Sequence, residues 1–458
     1  MPIWLALSRP IIPGGGYKRN LLIYNERIMI QMKATEFISY VQNGGFDSTL
    51  IHFYGEAKLA HQKVRFAEAA KEFVSLYGDS DISIFSVPGR SEISGNHTDH
   101  NHGCVLAAAL DLDIIAIATK VDAMTVTVKS KGFPEDKVDV TNLDPDSYGN
   151  YGSAALIAGI CDGFAKRGLK YGGFTAYTTS DVLKGSGISS SAAFEVQICN
   201  IINHFYNGGA VDAPELAKIS QYAENVFFGK PCGLMDQTAC AVGGFVAIDF
   251  ADPTAPVIEK LDFSLEKNGY CLCIVNTGGN HADLNDDYAS VPAEMKSVAA
   301  CFGLPVLRGI TYDQLLAKLP ELRESVGDRA LMRALHFVEE NDRVAAQKTA
   351  LKSGDLPAFL SGVLASGDSS FKQLQNVYTV KNVSEQGLSL ALALCKHLLD
   401  GKGGAWRVHG GGFAGTVQAF VPLALRDEFK KVMDGAFGEN ACSVLNIRAE
   451  GAVKVELA

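Results

Sequence analysis

The chain reads as two domains that mix helices with strands, and three observations lead there. Its 458 residues exceed the usual ceiling for one hydrophobic core. Apolar stretches of period two alternate with stretches of period 3.6 along its length. A shift in composition at Asp252-Pro253-Thr254-Ala255-Pro256 marks a boundary between them. Helical periodicity begins only near Ala34, so residues 1–32 read as an N-terminal extension, 33–255 as the first domain and 256–458 as the second.

Composition narrows the class of function. Hydrophobic residues make up 47% and charged residues 20%, which is ordinary for a globular protein. The net charge of −10 argues against nucleic acid or an anionic membrane as partner, because either needs a basic face. Ten cysteines without a Cys-x-x-Cys pair read as reduced, cytoplasmic usage. No apolar run of about 18 residues is present, and the opening segment lacks the basic start of a signal peptide.

Taken in order, residues 58–77 read as a helix with Val64, Ala67, Phe73, Val74 and Tyr77 apolar, and 82–87 as a strand stopped by Pro88-Gly89. Residues 90–103 are dense in polar side chains beside a core segment. They need partners, which a ligand or the loop itself would supply, and His97, His100 and His102 with Asp99 also invite a metal reading. A helix over 153–166 and a strand over 173–182 follow. Lys184-Gly185-Ser186-Gly187-Ile188-Ser189-Ser190-Ser191 then leads into a helix with Phe194, Ile198, Ile201 and Phe205 on one face. Glycines that free the backbone, and serines where the helix dipole is positive, make a cradle for an anion such as phosphate. A serine-capped helix after a glycine turn is the plainer reading, and the loop is no Walker A.

Asp212 and Glu215 form a capping pair for a helix running to Phe228. Glu224 lies near its C-terminal end, where the dipole disfavours a carboxylate, so it is either solvated or held by a cation. Asp236 starts the next short helix, as a cap or as a catalyst. Residues 269–276 read as a strand, followed by a polar turn with His281, Asp283 and Tyr288. Helices are expected over 329–352 and 383–399. Gly410, Gly412 and Gly415 fit Gly-x-Gly-x-x-Gly, but a strand over 416–421 follows, so the element is strand-loop-strand and no dinucleotide fingerprint.

Together these stretches resemble the GHMP kinases, and within them the galactokinases, over about residues 45–450. Residues 88–101 are similar to the signature PGRxNxxGEHTDYN, 185–191 (GSGISSS) to GxGLSSS, Ala223-Glu224 with 231–237 to AEH…PCGxMDQ, and 408–415 to the third, glycine-rich motif. The stretch 336–343 (HFVEENDR) resembles a galactokinase helix.

The resemblance implies an α+β fold of GHMP-kinase architecture. Its N-terminal domain would be ribosomal protein S5 domain 2-like, its C-terminal domain ferredoxin-like, and the active site would lie in the cleft between them. It implies transfer of the γ-phosphate of ATP to the anomeric hydroxyl of galactose, with Mg²⁺ as cofactor. Asp236 would be the base and Arg90 the cation beside the moving phosphate. Asn96, His97, Thr98, Asp99, Gly233 and Tyr288 would meet the sugar. Gly185, Ser186, Gly187, Ile188, Ser189, Ser190 and Ser191 would hold ATP, and Ser191 with Glu224 the metal. The expected partners are a small sugar and ATP, and the expected state is a monomer in the cytoplasm.

The motif's glutamate is Asn96 here and its tyrosine His100. An amide in place of that carboxylate removes a charge-assisted hydrogen bond of about 1.5–3 kcal/mol where buried. This leaves open another sugar, such as a uronic acid or modified hexose. A homologue that senses sugar and ATP without turnover, or a metal-dependent hydrolase, are the other readings.

Overall fold

The computed structural model describes residues 21–24, 27–30, 32–149, 151–182, 188–230, 232–279 and 284–457. Runs of apolar and β-branched residues build two main sheets, one of nine strands and one of four. The larger is centred on Cys104–Lys120, buried over most of its length. This strand pairs antiparallel with Asp81–Ser94, with Phe245–Asp249 at its start and with Phe174–Ser180 at its end. Thr125–Ser130 joins Phe174–Ser180 in parallel, and the helix Ser153–Lys166 lies in the crossover.

Pro88-Gly89 does not end the strand, which runs on to Ser94 through register shifts at Pro88/Arg90 and Glu92/Ser94. Proline has no N–H for the ladder, and a bulge is how a strand accommodates it. On the helix Leu59–Tyr77 the buried face follows Gln62, Arg65, Phe66, Ala69 and Phe73, leaving Val64 56% exposed. Polar residues hold that face inward because Arg65 Nη1 donates to the buried Asp113 Oδ1 at 2.7 Å.

The four-stranded sheet is antiparallel, in the order Ala405–His409, Thr416–Pro422, Tyr270–Asn276, Cys442–Leu445. The helices Gly387–Leu399 and Arg426–Phe437 pack on one face through Cys395, Phe429 and Met433. This is the ferredoxin-like βαββαβ pattern with an enlarged first connection.

The expected division at residues 255 and 256 moves. Val257–Leu261 pairs with Phe245–Asp249, so the turn between them is a hairpin inside the first sheet. The change of sheet comes between Leu261 and Tyr270, and Val453–Val455 returns to pair with Asp81–Ser94. Asp- and Pro-rich turns serve hairpins as readily as boundaries. Met32, placed in the extension, already pairs with Ile82 in the first sheet, whereas Leu21–Tyr24 and Arg27–Ile30 pair with each other. One apolar core continues across both halves, with Phe359 stacked edge-on to Phe245 of the first sheet and Phe420 of the second.

Candidate active site

The first domain brings Arg90, Ser189 and Asp236 together from three elements. Arg90 lies on the bulged strand Asp81–Ser94 and Asp236 in the first turn of the helix Met235–Val242. Ser189 immediately precedes the helix Ser190–Asn207, in left-handed backbone geometry with φ 54°. Arg90 donates from Nε and Nη2 to the two carboxylate oxygens of Asp236, both at 2.7 Å, and the Ser189 hydroxyl donates to Oδ2. Asp236 is therefore no helix cap. Burial alone would raise its carboxyl, but the bidentate guanidinium and the Ser189 hydroxyl outweigh burial and hold it below the usual carboxylate range. The carboxylate stays ionised.

Ser189 and Asp236 border a cavity of about 200 Å³ lined also by Asp99, Ser191, Glu224, Lys230, Gly233 and Gln237. Gly233 permits the acid loop to close in, since a Cβ there would stand 2.7 Å from Asp99 Oδ2. Glu224 is buried at the start of a π-turn, Glu224–Phe228, which interrupts the expected helix after Ala223. Its Oε2 accepts from Gln237 Nε2 at 2.9 Å, and Lys230 Nζ lies 3.6 Å from its Oε1. A hydroxyl and a buried carboxylate are hard oxygen donors, which fit Mg²⁺. Lys184, Gly185, Ser186, Gly187, Pro231, His281 and Asp283 lie outside the described residues.

Of the six residues expected at the sugar, Asp99 and Gly233 line the cavity. Three others hold consecutive carbonyls of the glycine-rich loop from the second half. Asn96 Nδ2 donates to Gly410 O at 2.7 Å, the His97 ring bonds Gly411 O through Nε2 at 2.9 Å, and Tyr288 donates to Gly412 O at 2.8 Å. Thr98 is buried and closes its own loop through Gly95 O and Cys104 O. Asn96 is fully buried, and its amide is taken up by Glu92, Gly410 and Asn376. Burial drops His97 to about 4, so its ring is neutral. Among the described residues no group of three or more His, Cys, Asp or Glu side chains is placed to hold a metal.

Several members of the site escaped the reading of the sequence. Glu92 stands where the quoted signature has asparagine, four residues before Asn96 replaces its glutamate. Amide and carboxylate have exchanged places, and Asn96 Nδ2 donates to Glu92 Oε1 at 2.9 Å. Glu92 in turn accepts from the buried Arg407 at 3.0 Å. His336, Glu340 and Asn341, on the helix Asp328–Ser353, bond Asn96 O, Gly95 N and Cys104 N. The signature loop is thus gripped by its backbone, which explains the polar run of that helix. Aligning residues 88–101 with the motif position by position would have found Glu92.

The family model described as the GHMP kinases N terminal domain matches residues 151–244, and that described as the galactokinase galactose-binding signature matches residues 71–120. The galactokinase of Streptomyces coelicolor is 31% identical over 372 residues, covering 80% of this chain and 92% of that one. The galactokinase of Clostridium tetani is 29% identical over 373 residues, covering 81% and 92%. Among solved structures, Lactococcus lactis galactokinase complexed with galactose matches with a TM-score of 0.71 at 22% identity, over 86% of this chain and 100% of that one. Methanococcus jannaschii mevalonate kinase matches with a TM-score of 0.56 at 15% identity, over 81% and 99%. The fold is that of the GHMP kinases. The chain belongs to the galactokinase family.

Proposed function

We propose that the chain transfers the γ-phosphoryl group of ATP to the anomeric hydroxyl of galactose, giving galactose 1-phosphate and ADP. The observation that carries this reading is the ionised Asp236 at the cavity wall, bonded by Arg90 and facing the N-terminus of the helix Ser190–Asn207. Family membership supports ATP and sugar as substrates.

Phosphoryl transfer asks a protein mainly for positioning and for neutralisation of charge on the moving group. Asp236 orients the sugar hydroxyl and takes its proton as the new O–P bond forms and the bond to the ADP oxygen breaks. Arg90, already fixed on Asp236, places its positive charge beside the moving phosphoryl group. Ser189, Ser190 and the first helical N–H groups meet the phosphates, where the dipole favours negative charge. Asp99, beside Gly233 on the cavity wall, orients the sugar. Ser191 and Glu224 would hold Mg²⁺, which when bound offsets charge on the phosphates. All ten cysteines are free thiols, which suits a reducing compartment, and we assign the enzyme to the cytoplasm. No helix among the described residues is long and apolar enough to cross a membrane.

The test is ATP consumption across a panel of sugars, with the phosphorylated carbon identified by NMR. Galactose phosphorylated at the anomeric oxygen is the expected product; turnover confined to a uronic acid would reassign the sugar. Asp236→Asn is expected to abolish transfer and leave ATP binding in place, and near-normal turnover would refute the assigned base.

A further inference from the structure

Glu195 lies one helical turn beyond Ser191 on the helix Ser190–Asn207 and is fully buried. Nothing in the transfer scheme above uses it. Its Oε2 accepts from Gln237 Nε2 at 3.1 Å, and the same nitrogen donates to Glu224 Oε2 at 2.9 Å. One NH₂ group is therefore clamped between two buried carboxyl groups. The other oxygen of Glu195 has no hydrogen-bond partner among the described residues, and neither has Gln237 Oε1, although Gln237 lines the cavity.

Such an arrangement is costly as it stands. Two acidic side chains share one desolvated place, and each unpaired buried oxygen forfeits its hydration. Lys230 stands 3.6 Å from Glu224 on a side chain that is 60% exposed. A divalent cation would answer both carboxylates at once, and carboxylate oxygens are what a hard cation selects. We propose that Glu195 is a third residue of the cation site, forming with Glu224 a two-carboxylate seat whose spacing Gln237 sets. The inference rests on the reading that Ser191 and Glu224 meet the cation accompanying the nucleotide. A carboxylic acid that merely filled the core would be replaced by glutamine with no consequence for that cation.

The experiment uses Mn²⁺ as the probe, titrated by electron paramagnetic resonance against the full chain with saturating ADP, for wild type, Glu195→Gln and Glu224→Gln. Glu195→Gln is expected to weaken Mn²⁺ at least tenfold while its metal-free thermal midpoint stays close to that of wild type, since glutamine keeps the shape of the side chain. If Glu195→Gln binds Mn²⁺ like wild type while Glu224→Gln does not, the role of Glu195 is overturned and the proposed site stands. If both bind like wild type, the site itself is wrong and this inference falls with it. Should Glu195→Gln fail to fold, Glu195→Asp, which keeps the charge and withdraws it by one methylene, must still lower Mn²⁺ affinity. Unchanged affinity there overturns the proposal.

Discussion

Replacing Glu340 by glutamine tests whether the second half of the chain holds the signature loop in place. Glu340 is fully buried. Its Oε1 accepts from Ser94 Oγ at 3.1 Å, Gly95 N at 2.9 Å and Ser366 Oγ at 2.5 Å, and its Oε2 from Arg343 Nε at 2.6 Å. Burial alone would raise its carboxyl, but His336, Arg343 and Arg407 outweigh burial and hold it far below the usual range. Glutamine keeps the shape and one acceptor but turns an NH₂ toward the Arg343 donor. Breaking a buried pair from one side costs about 3–5 kcal/mol. Arg343 retains Glu339 at 3.3 Å, so the lower end, about 3 kcal/mol, is expected. Ser366→Ala removes one donor and serves as the scale, at about 1 kcal/mol. Urea unfolding measures both, and the sugar KM of Glu340→Gln is expected to rise with the ATP KM unchanged. Stability within 1 kcal/mol of wild type, by the scale of a single hydrogen bond, together with an unchanged sugar KM, would refute the bracing role.

The exchanged pair Glu92 and Asn96 is expected to behave as a unit. Glu92→Asn strands the buried Arg407 and Asn96→Glu crowds two carboxylates, so each single variant loses about 3 kcal/mol, while the double exchange recovers most of it in a urea-melt cycle. Gly412→Ala is expected to lower the melting temperature and abolish sugar phosphorylation, because its φ is +81° and a Cβ would meet Asn376 O at 2.0 Å. For His97 the unfolded ring protonates near pH 6.5 and the folded ring near 4. The unfolded state binds the extra proton between these values, so the histidine's contribution falls as pH drops. The stability gap between wild type and His97→Gln is expected to narrow by about 2 kcal/mol from pH 7 to pH 5, read from urea midpoints.

What could be read from the sequence was what short-range chemistry controls. The helix Ser153–Lys166 follows from uninterrupted periodicity, and Asp212 does cap its helix by accepting from Glu215 N at 2.9 Å. The strand-loop-strand form of the glycine motif followed from the β-branched run after it. What periodicity does not carry is the identity of a distant partner. Asn96 meets the carbonyl of a residue 314 positions away, and no local pattern announces whether a polar side chain faces a cavity or a backbone oxygen. For the same reason nothing local marks Glu195 on its helix, and only the fold brings Gln237 against it.

The sugar loop and the phosphate apparatus are supported from different halves of the chain. Arg90, Ser189 and Asp236 hold one another through side-chain bonds within the first sheet and its helices. The loop carrying Asp99 is held instead by His336, Glu340 and Asn341, while the neighbouring Asn96 and His97 brace the glycine loop in return. A shift of the second half against the first would therefore move the loop carrying Asp99 relative to Asp236. Under the proposed function that difference of support matters, because transfer to the sugar rather than to water requires Asp99 and Asp236 to meet the acceptor in one fixed arrangement.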